Sequence, residues 1–264
     1  MIKIQLTIKS TTLLRPVQVF AFMPHGFFPG RGSYKTIWML HSAISDGSMF
    51  TEHARLLDFA NQNNCALIAP SLGNGYFADT IYEKQASFLM AELLPAMRQT
   101  LSISSEKEDN FLLGVSMGGF GAVRWAFDMP DVFSSVAAIS AYFGMPVPFD
   151  ERVLKAKDLR ALYQVFNKKL MPKLLFDKEG NLHSHVDLTK LMSVGSAKVK
   201  GSMPRVGLYC GDCDYLAIDQ TKAFFEHCED EGVAAEMFVS EGSHNAEYWN
   251  PVIFEAAEWL LSSK

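Results

Sequence analysis

The sequence has few cysteines and no long apolar run. Its 264 residues include only four cysteines, Cys65, Cys210, Cys213 and Cys228, and a chain of this size can bury a core without disulfides. No stretch approaches the 18 or so apolar residues that a membrane helix needs. Residues 1–10 alternate apolar and polar side chains instead of forming an export signal. We therefore expect reduced thiols and a soluble, cytoplasmic protein without membrane association.

The chain also lacks an excess of positive charge. It carries 24 Lys and Arg against 29 Asp and Glu, for a formal net charge of −5, which gives no general attraction for nucleic acid. The only basic region is 151–179, with eight cations against four acids. It is typical of a solvated helix face, with recruitment of anionic substrates or a subunit contact in a homo-oligomer as alternatives.

Two short motifs suggest metal binding or redox chemistry as possible functions to test. Cys210 and Cys213 form a CxxC, but they do not open a helix early in a βαβ unit and have no further ligands at zinc spacing. His183 and His185 have no third ligand nearby and are more typical of an exposed turn. We expect neither a metal nor a cofactor.

Strands and helices alternate along most of the chain. The pattern predicts strands over 2–9, 17–23, 36–41, 65–70, 110–115, 133–140, 205–210 and 234–239, and helices over 48–63, 80–101, 117–129, 217–231 and 246–261. The Pro/Gly-rich segment 24–35 suggests a hairpin-type loop between the second and third strands. The inner strands are almost wholly apolar, so we predict a mostly parallel twisted sheet with helices on both faces. Residues 1–264 are predicted to form one α/β domain, with 142–200 as a helical, cap-like insertion.

A serine lies in a glycine-rich turn between an apolar strand and a helix. Residues 114–118, GVSMG, match G-x-S-x-G in the strand–turn–helix setting of a nucleophile elbow. Glycines at 114 and 118 leave room for a strained serine backbone between closely packed elements. We predict that Ser116 is an exposed nucleophile; the alternative is a serine N-cap on a glycine-rich helix start.

A serine hydroxyl needs a base to accept its proton. His244 follows the predicted strand 234–239 in a loop flanked by small residues, and of the seven histidines only this one has that setting. His41 also ends a strand but precedes Ser116, and we expect it to pack beneath the loop that follows. His244 is therefore the predicted base.

An acid must orient the base, and three aspartates follow the strand 205–210. Asp214 lies between the strand end and the next helix, whereas Asp212 suits the turn and Asp219 falls inside the helix. The order Ser116, Asp214, His244 is the chain order of α/β-hydrolases. We predict these three residues as a catalytic triad.

Acyl transfer also requires two N–H donors for the developing oxyanion. In α/β-hydrolases one comes from the residue after the nucleophile, here Met117, and one from the loop after the third strand. That loop offers Ser42 or Ala43, and we favour Ala43.

Taken together, these motifs resemble the tributyrin esterase branch of the esterase D family, which has the α/β-hydrolase fold and is related to S-formylglutathione hydrolases and to feruloyl and acetylxylan esterases. The resemblance covers nearly the whole chain and depends on "LHSAISDGSMF", "NGYFADT", "GVSMGGFGA", "CGDCDYL" and "GSHNAEYWN". It implies Ser116 as nucleophile, Asp214 as acid and His244 as base. Ser42 departs from the family, which has glycine after the histidine; its side chain can narrow the oxyanion loop or add a hydroxyl donor.

The resemblance further implies a pocket for small acyl groups. Asn74, Tyr76, Phe77 and Asp79 follow the strand 65–70 on the expected catalytic edge, where they can form a wall with polar positions for the alcohol portion. We expect Ser42, Asn74, Tyr76 and Phe77 to bind substrate.

The predicted activity is hydrolysis of acetyl to butyryl esters through an acyl-enzyme, with a small-molecule ester as the partner. The alternatives are a thioesterase of the S-formylglutathione type, a feruloyl or acetylxylan esterase, and a non-catalytic binding protein in which Ser42 has disabled the oxyanion loop.

Overall fold

The computed structural model describes residues 1–30, 33–145, 147, 150–156, 159–160, 163–164, 175, 187–198 and 203–262, with backbone alone for 194–198. About half of the predicted cap, 142–200, therefore lies outside the described residues. The same is true of His183 and His185 and of much of the basic region 151–179. The cap stays a prediction.

Eight strands form one sheet. They are β1 (Ile2–Ser10), β2 (Arg15–Met23), β3 (Lys35–Leu40), β4 (Cys65–Pro70), β5 (Asn110–Val115), β6 (Ser135–Ile139), β7 (Arg205–Gly211) and β8 (Ala235–Ser240). Their order across the sheet is β1-β2-β4-β3-β5-β6-β7-β8. β1 pairs antiparallel with β2, and β2 antiparallel with β4. The other pairs are parallel, which confirms the predicted α/β-hydrolase fold.

The prediction of a hairpin between the second and third strands is wrong. β4 lies between β2 and β3, pairing antiparallel with one and parallel with the other. The segment 24–35 therefore crosses over β4 instead of turning tightly, and its prolines and glycines mark a longer connection. The true hairpin joins β1 and β2.

The described helices are α1 (Ala54–Gln62), α2 (Gln85–Phe88), α3 (Leu94–Leu101), α4 (Met117–Asp128), α5 (Arg152–Lys155), α6 (Leu188–Lys198), α7 (Ile218–Asp230) and α8 (Ala246–Leu261). Short 3₁₀ turns cover Gly47–Phe50 and Lys107–Asp109, and a π-helical turn, Leu89–Leu93, joins α2 to α3.

Two predicted helices differ from the structure. The helix predicted over 80–101 begins at Gln85, because the Thr80 N–H donates to the Glu83 carbonyl and closes a turn there. Its π-helical turn ends at Leu93, two residues before Pro95, which has no N–H for an α-helical bond. The helix predicted over 48–63 is split: Asp46 caps a 3₁₀ turn, and α1 begins later.

Apolar side chains cover both faces of the sheet. On one face α2, α3, α4 and α7 pack over residues such as Trp38, Leu112 and Val136. On the other, α1 and α8 pack over residues such as Ile37 and Leu113. The edge strand β1 shows a period-two alternation of exposure along most of its length, as expected for a strand with one face in water. No helix in the described ranges combines the length and apolar character needed to cross a membrane.

The β1–β2 turn is held by Glu92, a side chain from the π-helical turn. Glu92 Oε1 accepts hydrogen bonds from the N–H and hydroxyl groups of both Thr11 and Thr12, at 2.7–3.0 Å. Burial raises the pKa of the Glu92 carboxyl, but the hydrogen bonds from Ser10, Thr11 and Thr12 outweigh burial and lower it to about 2. The carboxylate thus stabilises the hairpin in its charged form.

Candidate active site

Ser116 lies on a sharp turn between β5 and α4. Its backbone has φ 54° and ψ −114°, a strained conformation for a residue with a side chain. The Ser116 N–H donates to the Ile139 carbonyl of the neighbouring strand at 2.7 Å. A Cβ at Gly114 would collide with the backbone of Gly118, and one at Gly118 with the backbone of Leu40. Both glycines are therefore required for strand, turn and helix to approach this closely.

The three residues predicted as a triad meet at the carboxyl edge of the sheet. Ser116 Oγ lies 2.9 Å from His244 Nε2. His244 Nδ1 lies 2.9 and 3.0 Å from the two carboxylate oxygens of Asp214. A carboxylate only accepts, so Nδ1 carries the proton and Nε2 is free to accept from the serine hydroxyl. Asp214 is completely buried and the His244 side chain is 5% exposed; this arrangement can activate a serine hydroxyl for attack.

The loops that carry the acid and the base are bonded to each other. The Asp212 N–H donates to the Ser240 carbonyl and the Cys213 N–H to the Gly242 carbonyl, both at 2.9 Å. Asp212 Oδ1 in turn accepts from the Gly242 N–H at 3.1 Å. Asp212 therefore braces the histidine loop, and Asp219 lies in the first turn of α7. Of the three candidate aspartates, Asp214 is the one that bonds to His244.

Trp249 contacts His244, and this contact was not among the predicted features of the site. The two rings meet edge to face, with centroids 5.1 Å apart and planes at 84°. Asn245 begins α8 by accepting from the Tyr248 N–H at 3.1 Å, and this cap fixes where the first helical turn presents Trp249. The only signal in the sequence was an aromatic residue one turn into the helix after the histidine loop. Its ring limits rotation of the imidazole.

The loop after β3 approaches Ser116 from the other side. The Ser42 N–H points to Met49 Sδ at 3.5 Å, and the Ile44 N–H donates to Asn74 Oδ1 at 2.9 Å. Met117 is the first residue of α4, and a first-turn N–H has no acceptor within its own helix. Among the described residues, the N–H groups of Met117 and Ala43, the two predicted oxyanion donors, have no hydrogen-bond acceptor.

His41 supports this loop from below, as expected. Its Nδ1 lies 2.8 Å from the Ser42 carbonyl and its Nε2 accepts from the Leu72 N–H at 3.2 Å. These partners require a neutral ring with the proton on Nδ1. Burial lowers the pKa of His41, outweighing the hydrogen bond to Ser42 and the charge of Asp46, which raise it. The ring therefore stays neutral.

The residues predicted to form the substrate wall differ in how far their side chains are exposed. Phe77 is fully buried, packed edge to face between His41 and Trp125, so its side chain supports the wall from behind. Tyr76 is almost buried against Phe120. Asn74 is exposed and bonded to the oxyanion loop through Ile44.

The structure also describes two further residues that were predicted near the site, Ser42 and Asp79. Ser42 is nearly buried in the oxyanion loop. Asp79 accepts from the Ser87 N–H at 3.0 Å and holds the start of α2, which is a structural role.

The chain has four cysteines. All four are free thiols; Cys213 is exposed and Cys65, Cys210 and Cys228 are buried. Within the described part of the chain, no group of three or more His, Cys, Asp or Glu side chains is placed to hold a metal ion.

The sheet order and the serine at its catalytic edge define the chain as an α/β serine hydrolase. Comparison with known proteins narrows the class. The chain belongs to the family described as "Putative esterase", whose model matches residues 10–260. It is therefore a carboxylic ester hydrolase, and the non-catalytic alternative is set aside.

Known proteins resemble the chain along most of its length. An acetyl esterase of Caldicellulosiruptor saccharolyticus is 26% identical over 234 residues, covering 86% of this chain and 83% of the relative. The substrate-bound fluorophosphonate-binding serine hydrolase F of Staphylococcus aureus superposes with a TM-score of 0.81 at 21% identity, covering 99% of both chains. The S-formylglutathione hydrolase of Staphylococcus aureus gives 0.75 at 21% identity and the same coverage. The two superpositions show that the fold is shared.

Proposed function

We propose that the chain is a serine carboxylesterase that hydrolyses short-chain acyl esters, from acetyl to butyryl, as in the tributyrin esterase branch of the esterase D family. The observation that carries this proposal is the bonded series Ser116 Oγ, His244 Nε2, His244 Nδ1 and the buried Asp214 carboxylate, with each distance near 2.9 Å. The acetyl esterase relative supports a small acyl group.

In the first half of the reaction, Ser116 Oγ attacks the ester carbonyl while its proton passes to His244 Nε2. Asp214 stabilises the imidazolium that forms, through the proton on Nδ1. The tetrahedral oxygen accepts hydrogen bonds from the N–H groups of Met117 and Ala43. As the carbonyl re-forms, the bond to the leaving alcohol breaks and His244 returns its proton to that alcohol. The product is an acyl-serine at Ser116.

In the second half, water replaces the alcohol. His244 accepts a proton from the water as its oxygen attacks the acyl carbon, and the same two N–H groups stabilise the second oxyanion. As the carbonyl re-forms, the bond from the acyl carbon to Ser116 Oγ breaks, and His244 returns its proton to Oγ. The carboxylic acid is released and the Ser116 hydroxyl is restored.

The second oxyanion donor is assigned to Ala43 because the other candidate is engaged. The Ser42 N–H already has Met49 Sδ as its partner, and the next donor along the loop, from Ile44, is taken by Asn74. Ser42 and Tyr76 are proposed to border the acyl group, and Asn74 to face the alcohol. Phe77 contributes indirectly, by packing against His41, which supports the oxyanion loop.

A fluorophosphonate probe tests the nucleophile. The probe should label the wild-type protein at Ser116, located by peptide mass spectrometry, and should not label Ser116→Ala. Labelling elsewhere, or equal labelling of both proteins, would overturn the assignment. Turnover of p-nitrophenyl acetate, butyrate and octanoate then tests acyl size, and faster octanoate cleavage would contradict the small-acyl proposal.

The thioesterase alternative uses the same groups and shares its fold with the S-formylglutathione hydrolase of Staphylococcus aureus. Comparing kcat/KM for p-nitrophenyl acetate, methyl ferulate and S-formylglutathione separates it, and the feruloyl alternative, from the proposed activity. A preference of tenfold or more for the thioester or the ferulate would replace the carboxylesterase proposal.

A further inference from the structure

Backbone strain is concentrated at the catalytic edge of the sheet. Of the eight described residues other than glycine that have positive φ, five follow the carboxyl ends of β3, β4, β5 and β6: Ile44, Tyr76, Phe77, Ser116 and Ser140. Ile44, with φ 56°, is the one β-branched residue among the eight, and a β-branched residue in this region is a genuine outlier. Such strain persists only where the surroundings enforce it, and it is typical of functional sites.

The side chain of Ile44 does not account for this backbone conformation. It is 74% exposed, so it gains little from packing against the described part of the protein. The Ile44 N–H, by contrast, donates to Asn74 Oδ1 at 2.9 Å, in the loop that follows β4. The bond to Asn74 is therefore the contact that holds Ile44 at positive φ.

Ile44 directly follows Ala43, the proposed second oxyanion donor. The Ala43 N–H belongs to the same planar trans peptide as the Ser42 carbonyl, so the two groups point in opposite directions. His41 Nδ1 donates to that carbonyl at 2.8 Å, which directs the Ala43 N–H away from the buried His41 ring. Asn74 fixes the next peptide through the Ile44 N–H. Ala43 thus lies between two anchored peptides, one on each side.

The start of this loop packs against the nucleophile turn. A Cβ at Gly118, two residues after Ser116, would collide with the carbonyls of Leu40 and His41, where the chain leaves the sheet. A small rotation of the Ala43 peptide therefore changes where its N–H points relative to an oxyanion formed at Ser116. Oxyanion stabilisation depends on this placement, because each donor must lie about 2.7–3.1 Å from the oxygen.

We infer that Asn74 is a positioning residue of the oxyanion hole: it holds Ile44 at positive φ and thereby keeps the Ala43 N–H directed at the tetrahedral oxygen. The inference rests on the proposed esterase function and adds a residue to its oxyanion hole. Without the Asn74 bond, the peptide between Ala43 and Ile44 can rotate until Ile44 regains a negative φ. Ala43 then keeps an anchored peptide on one side only, and its N–H stabilises the transition state less.

The test compares acetyl esters that differ in the alcohol. Asn74→Ala should lower kcat and kcat/KM for p-nitrophenyl acetate and ethyl acetate by the same factor, about ten- to fiftyfold, with KM changed less than threefold. This factor stays below the roughly 10²–10³-fold loss on deletion of an oxyanion donor, because the Ala43 N–H remains. A rise in KM with unchanged kcat, or an effect on one ester only, would overturn the inference, since Asn74 would then act through the alcohol alone.

Two further variants control for the hydrogen bond and for the strain. Asn61→Ala removes a bond of the same kind and length, from the His25 N–H to Asn61 Oδ1 at 2.9 Å, at the opposite edge of the sheet, and should change kcat less than twofold. Ile44→Gly added to Asn74→Ala should restore kcat at least threefold, because glycine adopts positive φ without steric cost. No recovery would contradict the role of strain. Equal thermal unfolding of all the proteins establishes that the variants fold.

Amide hydrogen exchange distinguishes failure of this inference from failure of the esterase proposal. In the Ser116→Ala protein, the Ile44 N–H should exchange at least tenfold more slowly than in Ser116→Ala/Asn74→Ala. If the esters are hydrolysed but Asn74→Ala changes neither this exchange nor kcat, the inference is overturned and the esterase proposal stands. If the wild-type protein hydrolyses no ester and is not labelled at Ser116, the esterase proposal is refuted and the inference with it.

Discussion

Replacing Asp214 by Asn should abolish most of the activity without unfolding the protein. The carboxylate lies 2.9 Å from His244 Nδ1 and is fully buried. At an effective dielectric constant of about 20, a charge pair at this separation is worth about 6 kcal/mol. Each tenfold in rate corresponds to about 1.4 kcal/mol, so losing the pairing with the transient imidazolium corresponds to about 10⁴-fold. We expect kcat to fall about 10³- to 10⁴-fold, the order found for this substitution in a serine protease triad.

The assay is hydrolysis of p-nitrophenyl acetate at neutral pH, together with thermal unfolding of each variant. Asp212→Asn is the matched control: it keeps an amide oxygen to accept from the Gly242 N–H and should retain activity within about threefold, since the neighbouring charge does not contact the imidazole. If Asp214→Asn keeps more than a tenth of the wild-type kcat in a folded protein, Asp214 does not orient the base.

Three further predictions concern the supports of the site and the fold. Gly118→Ala brings a Cβ against the Leu40 backbone and should lower the free energy of unfolding, measured in urea, by about 1–3 kcal/mol, with loss of fluorophosphonate labelling. Trp249→Leu frees the His244 ring and should lower kcat about tenfold, near the value of one aromatic pair, with little change in KM. Glu92→Gln removes a carboxylate whose pKa is lowered to about 2; it should cost about 1–2 kcal/mol at pH 7, after allowing for solvent screening.

The Glu92 effect has a defined dependence on pH. The folded pKa lies below the ordinary value of 4.5, so the unfolded chain binds more protons between pH 4.5 and 2 and stability is lost as pH falls through that window. The difference between wild type and Glu92→Gln should shrink over the same range. A constant difference would refute the linkage. For the other two variants, unchanged urea unfolding of Gly118→Ala, or a rise in KM alone for Trp249→Leu, would contradict the assigned contacts.

Local patterns predicted the parts of the fold that depend on neighbouring residues. The β5–α4 turn was predicted from the glycines around Ser116, because backbones that approach this closely require glycine, which is visible in the sequence. The alternation of apolar strands and helices likewise indicated a parallel sheet, and the loops after β7 and β8 were expected to carry Asp214 and His244.

Features that depend on distant residues were not predictable in this way. The insertion of β4 between β2 and β3 is a matter of sheet order, which no local pattern records, so the loop 24–35 was misread. The bond from Ile44 to Asn74 arises only when separate loops meet. The contact of Trp249 with His244 depends on where the Asn245 cap starts α8. Nothing in the sequence around Phe77 indicates whether its side chain contacts substrate or lies in the buried layer behind the site.

The loops around Ser116 are joined by hydrogen bonds in two separate pairs, and the acid loop and the histidine loop form one of these pairs. Asp212, Cys213 and Gly242 join the ends of β7 and β8, whereas Leu72 and Asn74 join the ends of β3 and β4; Ser116 lies between the two. Under the proposed function, the first pair sets proton transfer and the second contacts the ester. Substitutions at residues 72–77 should therefore change which esters are hydrolysed, while the groups that move the proton keep their geometry.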